Sequence, residues 1–343
     1  MAIIRVLICD DSAFMRMIIK DILDGQGDIE IVGQARDGME AVEKAVQLKP
    51  DVITMDVEMP KLNGLEALKL ISRKIQTRVI MVSSLTQEGA NITIEALQNG
   101  AIDFVPKPSG SISTNFRIMG NTLLAKIREA ASIDPSKIQY RPLPIAKRTS
   151  RSFTAKGKIV LIASSTGGPK SLDQVIPALP KNLPAPVVLV QHMPAGFTAS
   201  LAQRLNRISE IEVKEAQSGD VLKQGTVFVA PGDYHVGLRA ESGDIRVFLD
   251  QSPKINGVRP AADFTFEHAA ELYKDKTIGV VMTGMGRDGT KGSFKIKHYK
   301  GIVLAESEET CVVYGMPKSV VQEGYSDYVL PSYRLAEKIS ELV

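Results

Sequence analysis

The sequence predicts two doubly wound, mainly parallel α/β domains in series, the second with a β-rich insertion. Three observations carry that prediction. Short apolar runs alternate with amphipathic stretches over residues 1–108. From Lys137 to Lys158 every charged residue is basic. The alternation then resumes at Ile159 and continues to the C-terminus. At 343 residues the chain is long enough for about two ordinary domains.

In the first segment the expected strands are Ile3–Cys9, Ile29–Ala35, Val52–Met55, Val79–Val82 and Phe104–Val105. Met15, Ile18, Ile19, Ile22 and Leu23 recur at helical spacing on one face, with Ser12 placed as N-cap. Ala41, Val42, Ala45 and Val46 repeat that pattern after Asp37–Gly38. The basic stretch, punctuated by Pro142 and Pro144, reads as a solvated hinge, with docking onto an acidic surface as the alternative. Beyond it, Ile159–Ala163 and Val187–Val190 are strands. A strand-rich middle from Val213 to Leu249 has turn signals at Ser218–Gly219, Pro231–Gly232 and Ser242–Gly243. A helix with Ala262, Phe266, Ala269, Ala270 and Tyr273 on one face leads to strand Ile278–Met282 and a glycine-rich turn.

Composition narrows the function. Hydrophobic residues at 44% and charged residues at 24% fit soluble globular domains. Tryptophan is absent and a net charge of +3 is too small to argue for a polyanion, so no nucleic-acid partner is expected. No apolar run approaches the roughly 20 residues needed to span a bilayer, and Arg5 and Asp10–Asp11 come too early for a secretory signal. A cytoplasmic protein without membrane insertion is expected. Cys9 and Cys311, each in an apolar run, read as buried free thiols.

Asp10–Asp11 follow the first strand and Asp56 ends the third. Carboxyl ends of neighbouring strands in a doubly wound sheet converge on one crevice. Three carboxylates there repel one another unless a cation intervenes, and Mg²⁺ suits few carboxylates, several waters and a phosphate oxygen. Ser83 closes the fourth strand and Lys107 follows the fifth, adding a hydroxyl and an ammonium suited to a transferring phosphoryl group. This set resembles the response-regulator receiver domain, a flavodoxin-like fold, over residues 1 to about 125. The resemblance implies Asp56 as phosphoacceptor and Asp10, Asp11 and Asp56 as the Mg²⁺ site, with the Glu58 backbone carbonyl as a further ligand. Ser83 is then the switch hydroxyl and Lys107 the supporting lysine.

In the second domain, strand Ile159–Ala163 runs into Ser164-Ser165-Thr166-Gly167-Gly168-Pro169, with a helix expected to start at Pro169. A serine there could attack a carbonyl while backbone N–H groups hold the oxyanion, although such a segment is often only a cap. Gln191-His192-Met193-Pro194 ends the next strand, and Thr283-Gly284-Met285-Gly286-Arg287-Asp288-Gly289 follows another. Serine, histidine and aspartate at three strand ends are the parts of a nucleophile, a base and its orienting carboxylate. His235 is the rival base; His268 reads as a boundary residue and His298 as a helix-end residue. Gly284–Gly289 also matches G-x-G-x-x-G, with Glu306 about where a ribose-binding acid would lie. That nucleotide reading leaves Ser165 and His192 unexplained.

Together these three segments closely resemble the chemotaxis protein-glutamate methylesterase family, CheB, whose receiver, linker and catalytic order matches nearly the whole chain. The resemblance implies residues 1–125 as receiver, 126–156 as a basic flexible linker and 157–343 as catalytic domain. It implies hydrolysis of glutamyl methyl esters on the cytoplasmic helices of methyl-accepting chemotaxis receptors, with methanol released, and deamidation of certain glutamines. Ser165 is then the nucleophile, His192 the base and Asp288 its partner. Met285 and His192 would supply oxyanion-hole N–H groups, with Thr166 alongside. A chemotaxis-type histidine kinase would be the phosphodonor, a monomer is expected, and no cofactor is needed for hydrolysis. The unphosphorylated receiver is expected to cover the catalytic edge until phosphorylation opens it. Where the family usually reads Gly-Ala-Ser-Thr-Gly-Gly, this chain has Ala163-Ser164-Ser165-Thr166-Gly167-Gly168.

Overall fold

The structure, a computed structural model, describes residues 3–108, 112–135 and 157–343, with 112–118 as backbone alone. The chain divides into two compact units, Met1–Arg141 and Pro142–Val343. The basic residues from Lys137 to Lys156 lie outside the described residues.

The first unit is a five-stranded parallel sheet of β1 (Ile4–Cys9), β2 (Ile29–Ala35), β3 (Val52–Asp56), β4 (Arg78–Ser83) and β5 (Ala101–Pro106) in the order β2-β1-β3-β4-β5. Its helices are α1 (Ala13–Leu23), α2 (Gly38–Leu48), α3 (Gly64–Lys74), α4 (Gln87–Gln98) and α5 (Ile112–Ser132). β3 is buried along its whole length, which is why it reads as a continuous apolar run. The α1 pattern buries Met15, Ile19 and Leu23, and the Ser12 hydroxyl caps the helix by accepting from Met15 N at 3.3 Å. Asn63 and Glu66 form a reciprocal capping box that starts α3. That start presses on the functional strand: a Cβ at Gly64 would lie 1.9 Å from the Asp56 carbonyl oxygen, so only glycine fits. The helix α5 runs on to Ser132, beyond residue 125.

The second unit contains β6 (Ile159–Ser164), β7 (Val187–Gln191), β8 (Glu212–Glu215), β9 (Thr226–Val229), β10 (His235–Glu241), β11 (Asp244–Asp250), β12 (Thr277–Val281), β13 (Ile302–Glu306) and β14 (Tyr328–Leu330). Seven of these make one parallel sheet, β14-β13-β12-β6-β7-β9-β8. Thus β8 and β9, from the strand-rich middle, complete the main sheet. Only β10 and β11 stand apart, as an antiparallel hairpin turned at Ser242 (φ 55°) and Gly243 (φ 85°). Positive φ at both turn residues matches the twist of a two-residue hairpin.

The helices are α6 (Gly168–Val175), α7 (Phe197–Ile208), α8 (Ala262–Tyr273), α9 (Thr290–His298), α10 (Met316–Gln322) and α11 (Ser332–Leu342). α6 begins one residue before the expected Pro169, with Pro169 in its first turn. α8 buries Ala262, Phe266, Ala269 and Ala270 as its periodicity predicts, and burying Phe266 contributes about 1.5–3 kcal/mol. Cys9 and Cys311 are buried free thiols. Among the described residues no helix is long and apolar enough to cross a membrane.

Candidate functional site

Each sheet reverses direction around its first strand, which lies between two later ones: β1 between β2 and β3, β6 between β7 and β12. A crevice opens at the carboxyl end of such a switch point, and both candidate sites lie there.

In the first unit Asp10, Asp11 and Asp56 each bring a carboxylate oxygen within 4.8 Å of the others, with Asp10 and Asp56 buried and Asp11 exposed. Lys107 Nζ lies 3.1 Å from Asp10 Oδ2 and 2.8 Å from Asp56 Oδ2. Apart from that ammonium, neither oxygen meets a hydrogen-bond donor among the described residues. Burial, and then the charge of Asp10, push the Asp56 carboxyl up to about 6. Burial likewise raises Asp10, against the opposing Lys107 charge. A cluster of hard oxygen donors that resists full ionisation is what a small divalent cation relieves, so the residues fit Mg²⁺. Glu58 N donates to Asp56 Oδ1 at 3.3 Å, which seats the following turn. The Ser83 hydroxyl bonds the carbonyls of Ser84 and Gly89, both at 3.2 Å, and makes no hydrogen bond to Asp56.

In the second unit the ends of β12, β6 and β7 stand side by side. Ser165 N donates to Thr283 O at 2.9 Å, and His192 N donates to Ser164 O at 3.0 Å. Ser165 therefore sits between the two flanking strand ends. Gly284 lets the β12 loop close on it: a Cβ there would lie 2.6 Å from Ser165 Cβ. The His192 ring presents Nε2 to Asp288 Oδ2 at 2.7 Å. Because that carboxylate accepts only, Nε2 carries the proton and the lone pair is on Nδ1. The Ser165 hydroxyl has no hydrogen-bond partner among the described residues.

Asp288 is buried at the N-terminus of α8. Its Oδ2 also accepts from Ala262 N at 2.6 Å, and its Oδ1 from Asp263 N at 3.1 Å and Asn256 Nδ2 at 3.2 Å. Burial alone would raise this carboxyl, but the His192 hydrogen bond, with the helix N–H groups, holds it below the ordinary range. Asp263 beside it is pushed up to about 6, by burial and then by the Asp288 charge.

Ser164 and Gln191 brace the turn. Ser164 Oγ donates to Gln191 Oε1 at 2.6 Å, and Gln191 Nε2 donates to Ser165 O at 2.9 Å. The His192 N–H, spent on Ser164 O, is not free for an oxyanion, which corrects the expectation for that group. Met285 N has no such engagement among the described residues, and its side chain is half exposed. Thr166 is buried between these segments, its carbonyl accepting from Thr283 Oγ1 at 3.0 Å.

The rivals fall away on geometry. His235 is buried, with Nδ1 accepting from Ala261 N at 3.2 Å and Nε2 directed to Pro253 O at 3.2 Å. Both ring nitrogens are used, so His235 is a structural neutral imidazole stacked on Phe264. His268 is half-buried against Phe264 and His298 closes α9, as their positions predict. Glu306 is buried and accepts from Thr283 N at 2.8 Å, Thr310 Oγ1 at 2.9 Å and Ser171 Oγ at 3.3 Å. It has no edge left for a ribose. Sequence reasoning missed Gln191, Asn256 and Asp263. Asn256–Gly257 is visible only as a turn signal, and Asp263 as an acid in a first helical turn.

Comparison with known proteins covers both units. The response regulator receiver domain model matches residues 6–113, and the CheB methylesterase model matches residues 160–339. The class is thus a hydrolase of α/β type carrying a receiver domain. A protein-glutamate methylesterase/protein-glutamine glutaminase of Thermotoga maritima is 63% identical over 99% of both chains. One of Pyrococcus abyssi is 48% identical over 99% of this chain and 94% of its own. The crystal structure of the Thermotoga maritima CheB methylesterase catalytic domain superposes with a TM-score of 0.54 at 64% identity, covering 55% of this chain and all (100%) of that one. The chain belongs to the protein-glutamate methylesterase/protein-glutamine glutaminase family, and it is a hydrolase of that kind.

Proposed function

We propose that this enzyme removes methyl esters from glutamyl residues of chemoreceptor cytoplasmic helices, and deamidates receptor glutamines, by a Ser165–His192–Asp288 mechanism switched on by phosphorylation of Asp56. The observation that carries the reading is the buried His192–Asp288 pair at the sheet edge where Ser165 follows the adjacent strand. In this reading the receiver runs past the expected boundary at 125 to the end of α5 at Ser132, the linker follows to 156, and residues 157–343 form the catalytic domain.

With Nε2 held by Asp288, His192 Nδ1 takes the Ser165 proton as Oγ attacks the ester carbonyl. The C–O bond to the methoxy group breaks, and the proton on Nδ1 leaves with it as methanol. Water then attacks the acyl-serine by the reverse path, giving a glutamate carboxylate and free Ser165. A glutamine substrate releases ammonia instead. The Met285 N–H, with Thr166 alongside, faces the charge that develops on the carbonyl oxygen. Catalytic hydrogen bonds are often unformed before substrate binds, so the unpartnered Ser165 hydroxyl fits this role.

In the receiver, Asp10, Asp11, Asp56 and the Glu58 carbonyl would hold Mg²⁺, which when bound offsets charge on a transferring phosphoryl group. The Asp56 carboxylate is the acceptor, Lys107 offers its ammonium beside it, and Ser83 exchanges its backbone carbonyls for the new phosphoryl oxygens. A chemotaxis-type histidine kinase is the donor, the enzyme is a cytoplasmic monomer, and hydrolysis needs no cofactor. Methanol release from methylated receptor membranes, with and without acetyl phosphate and Mg²⁺, tests the switch. A rate unchanged by the phosphodonor, in a chain that gains phosphate by mass, would refute it.

A further inference from the structure

We propose that Asp263, acting through Asn256, is a positioning residue for the hydrolytic reaction, holding Asp288 in the orientation that fixes the His192 ring. The inference rests on the reading of His192 as base and Asp288 as its partner.

Asp288 needs donors on every side, because a buried carboxylate is tolerated only when its oxygens are filled. Backbone N–H groups at the start of α8 and the His192 ring supply all but one; Asn256 supplies that one, at Oδ1. The same Nδ2 donates to Asp263 Oδ2 at 3.0 Å. An amide group has two donor hydrogens on nitrogen and only an acceptor on oxygen. Facing two carboxylates, Asn256 must therefore turn its NH₂ edge to both. Asp263 is what dictates that orientation.

Asp263 is itself anchored, since its Oδ1 accepts from Gly292 N at 2.9 Å in the first turn of α9. The starts of two helices thus converge on two carboxylates, with one carboxamide between them. The turn that carries Asn256 is fixed independently, by paired hydrogen bonds between Ile255 and Val258 (3.2 and 3.0 Å) and by φ of 52° at Asn256. A purely structural account would have Asp263 cap α9 and Asn256 suit a left-handed turn. Asparagine at position 263 would still cap α9 through its own oxygen, and glycine at position 256 would still make the turn. Neither keeps the clamp: Asp263→Asn would set an NH₂ group against that of Asn256, forcing the latter to turn its oxygen toward Asp288 or withdraw.

The test uses the full chain with acetyl phosphate, Mg²⁺ and methylated receptor membranes, comparing Asp263→Asn, Asn256→Gly, their double variant and His192→Ala. The expected result is a kcat about tenfold lower in each single variant, with KM within about twofold and the double variant no worse than the singles, as for groups acting as one unit. The downfield proton resonance of the His192–Asp288 hydrogen bond should shift in both. Should Asp263→Asn not fold, Asn256→Gly alone carries the test. Wild-type kcat and an unmoved resonance in the single variants, while His192→Ala is inactive, overturn the proposal. A loss confined to Asp263→Asn overturns the route through Asn256. Full activity in His192→Ala overturns instead the reading on which the proposal rests.

Discussion

Replacing Asp56 by asparagine should make the first unit more stable, although it removes the partner of an ion pair. The carboxyl is buried, shares its crevice with Asp10, and is displaced from an ordinary 3.8 to about 6. A group whose folded-state value is raised favours folding only while protonated. Its favourable contribution is complete below about pH 4 and is lost as pH rises through about 6. At pH 8 the ionised Asp56 therefore opposes folding by roughly 2 pKa units, or about 3 kcal/mol at about 1.4 kcal/mol per unit. The uncharged, isosteric Asp56→Asn variant escapes that opposition. Native-state hydrogen exchange in the intact chain, read on β1 and β3 peptides, measures it. The variant should be more stable at pH 8 by up to about 3 kcal/mol, with the gap closing toward pH 4. Mg²⁺ at about 100 times its Kd should add about 2.7 kcal/mol to the wild type and less to the variant. A variant no more stable than wild type at pH 8, or a gap that persists at pH 4, would refute the electrostatic account of the crevice.

The remaining predictions concern the second unit. Ser164→Ala leaves Gln191 Oε1 without its buried donor and should cost about 1–3 kcal/mol in urea unfolding. Its methanol release should stay within a few-fold of wild type, because Gln191 Nε2 still holds Ser165 O. Glu306→Ala removes the acceptor of the buried Thr283 N–H and should cost a similar ~1–3 kcal/mol, while lowering activity through the Thr283–Ser165 link. Glu306→Gln keeps an acceptor there and should restore most of both; if it is as damaging as alanine, the carboxylate has another task. Since burial raises Glu306, its ionisation opposes folding, so the stability of Glu306→Gln relative to wild type should rise with pH.

Much of this was legible in the sequence because strand ends are legible. In a parallel sheet with short loops, the residues that follow the apolar runs are delivered to one edge, so Asp10 and Asp56 in the first sheet, and Ser165, His192 and Asp288 in the second, could each be grouped without coordinates. Helix faces followed for the same reason: periodicity marked Ile19 and Phe266 as core. What stayed hidden depended on which side chain turns where. Nothing in Gln191-His192 tells that the glutamine folds back under Ser165 while the histidine commits Nε2 rather than Nδ1 to Asp288. The His192 N–H looked available for an oxyanion until its ladder bond to Ser164 was seen. His235 stood as a rival base until both its nitrogens proved occupied by backbone groups of the segment between β11 and α8. Asn256 and Asp263 come from a loop and a helix that alternation cannot place over a strand end. The division of the strand-rich middle was equally hidden, because β9 pairs with β7 and β8 with β9, and neither pairs with the hairpin that follows them.

The most direct measurement is single-turnover hydrolysis of methylated receptor by the phosphorylated chain, followed by intact-mass analysis of the quenched enzyme. The account predicts a transient adduct on the peptide containing Ser165, methanol formed no slower than that adduct, and neither in Ser165→Ala, while Ser164→Ala retains both. Methanol release at the wild-type rate by Ser165→Ala, or an adduct that moves to Ser164, would contradict it.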